Sequence, residues 1–164
     1  MENKGNKENL ERLKRDYEIL RAKYNLPSFH ELNKDFWIDE LSECETDILI
    51  RKIRAKMGDV LMNVVRFIEN LLNPVNVPMF IFRFIKLINL EDKKVLSEIY
   101  EQLIKKEINV MKMDFEFNEE NEAEFIKETY ETWQNMKGKL LNIIRKIDAT
   151  WDNKSDEGKR DYFG

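Results

Sequence analysis

Histidine, cysteine, proline and glycine are all scarce in this chain of 164 residues: one His, one Cys, three Pro and five Gly. Each scarcity excludes something. A single Cys44 forms no intrachain disulfide, which fits a reducing, cytosolic compartment. A single His30 cannot build a histidine-rich metal site, nor the paired Glu-x-x-His motifs of di-iron helical bundles. So little Pro and Gly leaves few tight turns, which argues against a β-sandwich or barrel with its many hairpins. No glycine-rich loop is present to cradle a phosphate. No apolar run approaches the ~20 residues that span a bilayer. The opening MENKGNKENLE has no apolar segment of the secretory-signal type.

What the chain has in abundance is charge. Asp, Glu, Lys and Arg make up 37% of it, against a usual ~25%, so long solvated helix faces are expected. The balance is acidic, net −4 with pI ≈ 5.3, and a global nucleic-acid-like basic field is absent. Hydrophobic residues make up 42%, enough for a globular core. At this length a chain buries about 68–70% of its unfolded surface and folds as one domain without staples.

The hydrophobic spacing is helical almost throughout. Leu10, Leu13, Tyr17, Leu20 and Tyr24 step by threes and fours and predict a helix over 8–24, after a frayed start at 1–7. Pro27 ends it. Ser28 and Glu31 form a capping-box pattern for a short helical turn. KDFWIDEL (34–41) reads as an irregular connection in which Phe36, Trp37, Ile38 and Leu41 cover one end of the core. Ser42–Glu45 is a second capping box, opening a long helix over 43–73. Its polar face runs Lys52, Lys56, Asp59, Asn63, Arg66, Asn70, Asn73, opposite Ile53, Met57, Leu61, Val64, Ile68 and Leu71.

A third helical region covers 79–108, broken near Asn89, which reads as an N-cap. NVMKMDFEFN (109–118) alternates apolar and polar residues, a strand-like signal. With no second strand to pair with, an extended connection is expected. Asn118 caps a last helix over 119–151, with the stripe Ile126, Tyr130, Trp133, Met136, Leu140, Ile144, Ile147, Trp151. Gly138 inside it costs up to ~1 kcal/mol relative to alanine. The expected fold is all-α: an irregular antiparallel bundle of about four main helices with short additional turns. It forms one domain over 1–151, followed by a polar, flexible tail over 152–164.

Groups that carry chemistry are few. Cys44 near a helix start is flanked by Glu43 and Glu45, which oppose a thiolate. The acidic run Asp114, Glu116, Glu119, Glu120, Glu122, Glu124, Glu128, Glu131 reads as a solvated face with dipole-favoured acids at a helix start. DNKSDEG in the tail fails the EF-hand pattern, with Lys154 and Glu157 at two of its fixed positions. No catalytic residue, metal site or cofactor is assigned. Arg51, Lys52, Arg54 and Lys56 form a dense basic cluster, and Lys137, Lys139, Arg145 and Lys146 a second. Neither is interleaved with stacking aromatics.

MFIFRFIKLI (79–88) has eight large apolar residues and two cations. As a strand it would put a cation on each face. As a helix it puts Arg83 and Lys86 about 60° apart on one edge, leaving the rest free for burial. Ten helical residues span about 15 Å, too short for a bilayer. The plain reading is the most buried helix of a bundle. The sharper one leaves Phe80, Phe82 or Phe84 partly exposed to bind another chain.

The stretches LPSFHELNKDFWIDEL, LLNPVNVPMFIFRFIKLI and WDNKSDEGKRDYFG resemble a group of archaeal all-helical proteins, over most of the chain. The resemblance implies an archaeal, cytoplasmic origin and attaches no activity. The leading functional expectation is therefore a non-enzymatic protein–protein interaction module or homo-oligomer. It would use Phe80, Phe82 and Phe84 with Tyr162 and Phe163 of the tail. The alternatives are an RNA- or DNA-associated protein using Arg51, Lys52, Arg54 and Lys56, and a carboxylate-based enzyme.

Overall fold

A computed structural model describes residues 2–43, 48–75 and 77–160, with side chains over 7–43, 48–75 and 77–149. The chain is an all-α helical bundle, 88% helical, with no strand among the described residues. In order it forms α1 (Glu2–Tyr24), α2 (Phe29–Phe36), a 3₁₀ segment (Ile38–Glu43), α3 (Leu49–Leu72), α4 (Met79–Leu87), α5 (Leu90–Phe115) and α6 (Glu119–Arg160). The chain divides into two compact units. Unit 1 holds 1–63 and 105–132; unit 2 holds 64–104 and 133–164.

In unit 1, α1 buries its stripe through Leu13 and Tyr17 and begins at Glu2, six residues before the expected start. Asn25, left-handed at φ 53°, closes the helix, a conformation asparagine tolerates. The buried Tyr17 hydroxyl donates to the Pro27 carbonyl at 2.5 Å, and its ring meets Phe29 edge-on at 5.6 Å. Burial is the main force pushing this phenol well above its ordinary range. Ser28 and Glu31 make the expected reciprocal cap of α2, with the Glu31 N–H donating to Ser28 Oγ at 3.2 Å and the Ser28 N–H to Glu31 Oε2 at 2.8 Å. The stretch expected to be irregular is thus mostly helical. Phe36, Ile38 and Leu41 are buried, but Trp37, the left-handed C-cap at φ 49°, is 53% exposed and covers no core.

The first half of α3 runs antiparallel to the last half of α5 in unit 1. Arg54 meets Asp114, while a Cβ at Gly58 would lie 3.7 Å from Val110. The strand-like 109–115 is therefore the end of α5, correcting the extended connection expected there. Val110 and Met113, three apart, turn inward, while Ile108, Met111 and Phe115 face water. A period of two and a partly exposed helix produce the same local alternation.

In unit 2, α5 and α6 are antiparallel: Asp92 bonds Lys146 at 2.5 Å, and Ile99 and Gln102 share a pocket with Asn135 and Met136. Asn89 and Asp92 cap α5 reciprocally, Asn89 Oδ1 accepting from the Asp92 N–H at 2.8 Å. Asn118 caps α6 through the Asn121 N–H at 2.9 Å. The backbone of α6 stays helical to Arg160, through most of the segment expected as a tail. The second capping box pairs Ser42 with Glu45, which lies outside the described residues together with Cys44, Tyr162 and Phe163; the long helix expected from 43 begins at Leu49, with Glu43 still in the 3₁₀ segment.

Candidate interaction surface

Pro78 sets up α4: its carbonyl accepts from the Ile81 N–H at 2.9 Å, and its fixed φ of −56° suits a helix start. Ile88 leaves helical geometry at ψ 120°, and Asn89 then caps the next helix. Within these nine residues burial is narrow. Ile81 and the following Ile88 are buried, and Phe84, Ile85 and Leu87 are half-buried. Met79 is 84% exposed, Phe80 50% and Phe82 42%. Arg83 and Lys86 are exposed beside them. The outer face of α4 thus combines two aromatics, a methionine and two cations. Val75, just before it, is exposed as well.

The Phe80 ring meets Phe84 edge-on, with centroids 5.6 Å apart at 70°. Phe84 in turn lines a groove of about 590 Å³ with Phe67 of α3 and Ile144, Ile147 and Asp148 of α6. Ile144 and Leu141, three apart on α6, are partly exposed. An apolar surface therefore continues from the outside of α4 into a cleft of the same unit.

The basic cluster of α3 is arranged differently from the expectation that it could face phosphates. Arg54 is 2% exposed. Its Nε donates to Glu122 Oε2 at 2.8 Å, and its Nη2 donates to Glu122 Oε1 at 3.3 Å and to Asp114 Oδ1 at 2.7 Å. Glu122 is fully buried. Burial alone pulls the guanidinium's pKa down, but the hydrogen bonds and charges of Glu122 and Asp114 outweigh it and raise the pKa above its ordinary value. Arg54 is thus an internal cross-tie between α3, α5 and α6, not a nucleic-acid contact. Arg51 reaches the Asp114 carbonyl at 3.4 Å, at the end of α5 where the dipole favours a cation, and lies 5.9 Å from the Phe117 ring. Lys56 pairs with Glu40, and Lys52 is exposed.

The acidic run is likewise largely a set of ion pairs. Glu119 meets Lys23 at 3.3 Å, Glu124 meets Lys127 at 2.7 Å, and Glu128 meets Lys106 at 2.7 Å. Glu122 departs from the solvated face expected for it. Among the described residues no group of three His, Cys, Asp or Glu side chains is placed to hold a metal ion. His30 is exposed at the start of α2. Among the described residues, no helix is long and apolar enough to cross a membrane.

Sequence reasoning missed the Arg54–Glu122 pair, although a signal for it exists. Arg54 sits four after Ile50, three before Met57 and seven before Leu61, all buried, so it stands on the apolar stripe. Glu122 likewise sits four before the buried Ile126 and seven before the buried Thr129. Reading the two basic and acidic runs by composition hid these positions. The chain matches no protein-family model, no curated protein and no solved structure.

Proposed function

We propose that this protein is a helical protein–protein interaction module, acting in the cytoplasm of an archaeal cell, and that α4 is its contact face. The observation that carries the reading is the exposure of Met79, Phe80 and Phe82 on a short helix held by Ile81 and Ile88. Full burial of a large apolar side chain is worth about 1.5–3 kcal/mol, so covering the largely exposed Met79 and the half-exposed Phe80 and Phe82 offers a partner several kcal/mol in total. The cytoplasmic and archaeal parts rest on the single Cys44 and on the resemblance in residues 26–41, 71–88 and 151–164.

The nucleic-acid reading loses support from the geometry of its own residues. Arg54 is buried, and Arg51 and Lys56 already face carboxylates. The test compares the full chain with Phe82→Glu, by light scattering and by affinity capture under matched conditions. A wild-type oligomer or complex that disappears in the variant supports the module. A monomer whose captured proteins are the same in both forms refutes it.

A further inference from the structure

The end of α5, within unit 1, carries an apolar line turned to water. Ile108, Met111 and Phe115 are 47%, 54% and 90% exposed. At about 100° per residue the three fall within about 60° of one another, and roughly 160° from the inward side marked by Val110 and Met113. Their steps of three and four are those of a coiled-coil seam. Charges border the line in a fixed order. Lys105 and Lys112 stand roughly 80° to one side of it, and Glu107 and Asp114 roughly 80° to the other. The line therefore has one basic edge and one acidic edge, both set by the same continuous helix. Glu101, seven before Ile108, ends it. Asp114 is engaged by Arg54. Among the described residues, the side chains of Glu107 and Lys112 have no ion-pair partner.

We propose that this face of α5 binds the same face of a second copy of the chain, with the two helices parallel, so that Glu107 of each copy pairs with Lys112 of the other. Symmetry selects the arrangement. A two-fold axis running along the helices sets the acidic edge of one copy against the basic edge of the other. An axis running across them sets like against like, Lys105 against Lys112 and Glu107 against Asp114. With Ile108 and Phe115 at a and Met111 at d, Glu107 takes a g position and Lys112 an e position. Those are the positions whose ion pairs fix orientation in coiled coils. A second copy is favoured over an unrelated helix because it brings both edges in the required order by identity. Residues 105–115 span only about 16 Å. The contact is therefore smaller than the roughly 1,200 Å² of standard complexes, and the dimer is a weak one that forms at high protein concentration. The proposal does not rest on α4, which belongs to unit 2.

Analytical ultracentrifugation of the full chain from about 10 to 500 µM should show a monomer–dimer equilibrium. Met111→Glu should abolish it with helicity by circular dichroism unchanged, because Met111 is more than half exposed. Glu107→Lys and Lys112→Glu should each weaken association at least about tenfold. An equimolar mixture of those two variants should restore it, because each altered charge then meets its complement. Cysteines read the orientation. With Cys44 changed to serine, Ile108→Cys and Phe115→Cys should each form a disulfide with their own kind under oxidised glutathione. A parallel pair sets each position against itself, whereas an antiparallel pair sets 108 against 115 and links only the mixture.

A monomer throughout the concentration range overturns the proposal and leaves the α4 reading standing. Linkage confined to the mixture of Ile108→Cys and Phe115→Cys makes the pair antiparallel and overturns it. Association that neither Glu107→Lys nor Lys112→Glu weakens removes the charge pairing that selects a second copy and overturns it too. A dimer lost in Phe82→Glu but kept in Met111→Glu places self-association on α4, which upholds the module reading and overturns the α5 face.

Discussion

Replacing Arg54 with methionine tests the energetic centre of unit 1. Methionine keeps most of the aliphatic length and volume of the side chain and removes the guanidinium. The loss strips the fully buried Glu122 of two charge-assisted hydrogen bonds, at 2.8 and 3.3 Å. Exposed ion pairs contribute only about 0–1 kcal/mol, but breaking a buried pair from one side costs about 3–5 kcal/mol, because the remaining charge is left without compensation. For a chain of this length that corresponds to a fall in Tm of about 6–20 °C.

The third member of the cluster behaves differently. Asp114 is half-exposed and can hydrate, so Asp114→Asn should cost under about 1 kcal/mol. In the double variant Arg54→Met with Glu122→Leu neither charge remains, and stability should return to within about 1 kcal/mol of the wild type or exceed it. Urea titration followed by far-UV circular dichroism measures all four proteins, with hydrogen exchange in 49–63 and 105–132 locating the loss. The reasoning fails if Arg54→Met costs less than about 1 kcal/mol, if Asp114→Asn costs as much as Arg54→Met, or if the double variant is no better than the single one.

Gly138 is helical and a Cβ there would meet nothing within 4 Å, so Gly138→Ala should stabilise by about 0.4–1 kcal/mol, seen as a higher urea midpoint with unchanged slope. Ser28→Ala removes the acceptor for the Glu31 N–H and should cost about 0.5–2 kcal/mol by the same titration. The hydrogen bonds from the Ser28 side chain and backbone hold the Glu31 carboxyl below its ordinary value. Its contribution to α2 is therefore present above the unfolded carboxylate range and is lost as pH falls through the lowered folded value. Amide chemical shifts of residues 28–32 should record that loss as a step in the carboxylate range, below about pH 5, and that step should be absent in Glu31→Gln.

How far the sequence reaches depends on whether local spacing or long-range pairing decides a residue's place. The polar face of α3 was legible because Asp59, Asn63, Arg66, Asn70 and Asn73 all stand on one side and all reach water. The caps at Ser28, Asn89 and Asn118 were legible because a cap is a contact between residues three apart. The break between α4 and α5 followed from Asn89. By contrast, 109–115 was misread because the apolar residues of that turn, Met111 and Phe115, point to solvent and blur the period. The burial of Arg54 depends on Glu122, 68 positions away, and no local window contains both. The groove beside α4 joins residues from three helices, and no local window contains Phe67, Phe84 and Ile144 together. The exposure of Phe80 and Phe82 follows from α4 burying so narrow a side, a consequence of packing that periodicity in a nine-residue helix does not encode.

Trp37, left-handed between α2 and the 3₁₀ segment, gives unit 1 an optical label of its own. The other two tryptophans of the chain, Trp133 and Trp151, belong to unit 2. With both of those changed to phenylalanine, the remaining indole emission reports on unit 1 alone, and at long wavelength because about half of that side chain already stands in water. The complementary change, Trp37→Phe, silences unit 1 and leaves unit 2 luminous. One chain thereby yields two spectroscopic channels, through which melting and partner capture can be followed unit by unit without any attached dye.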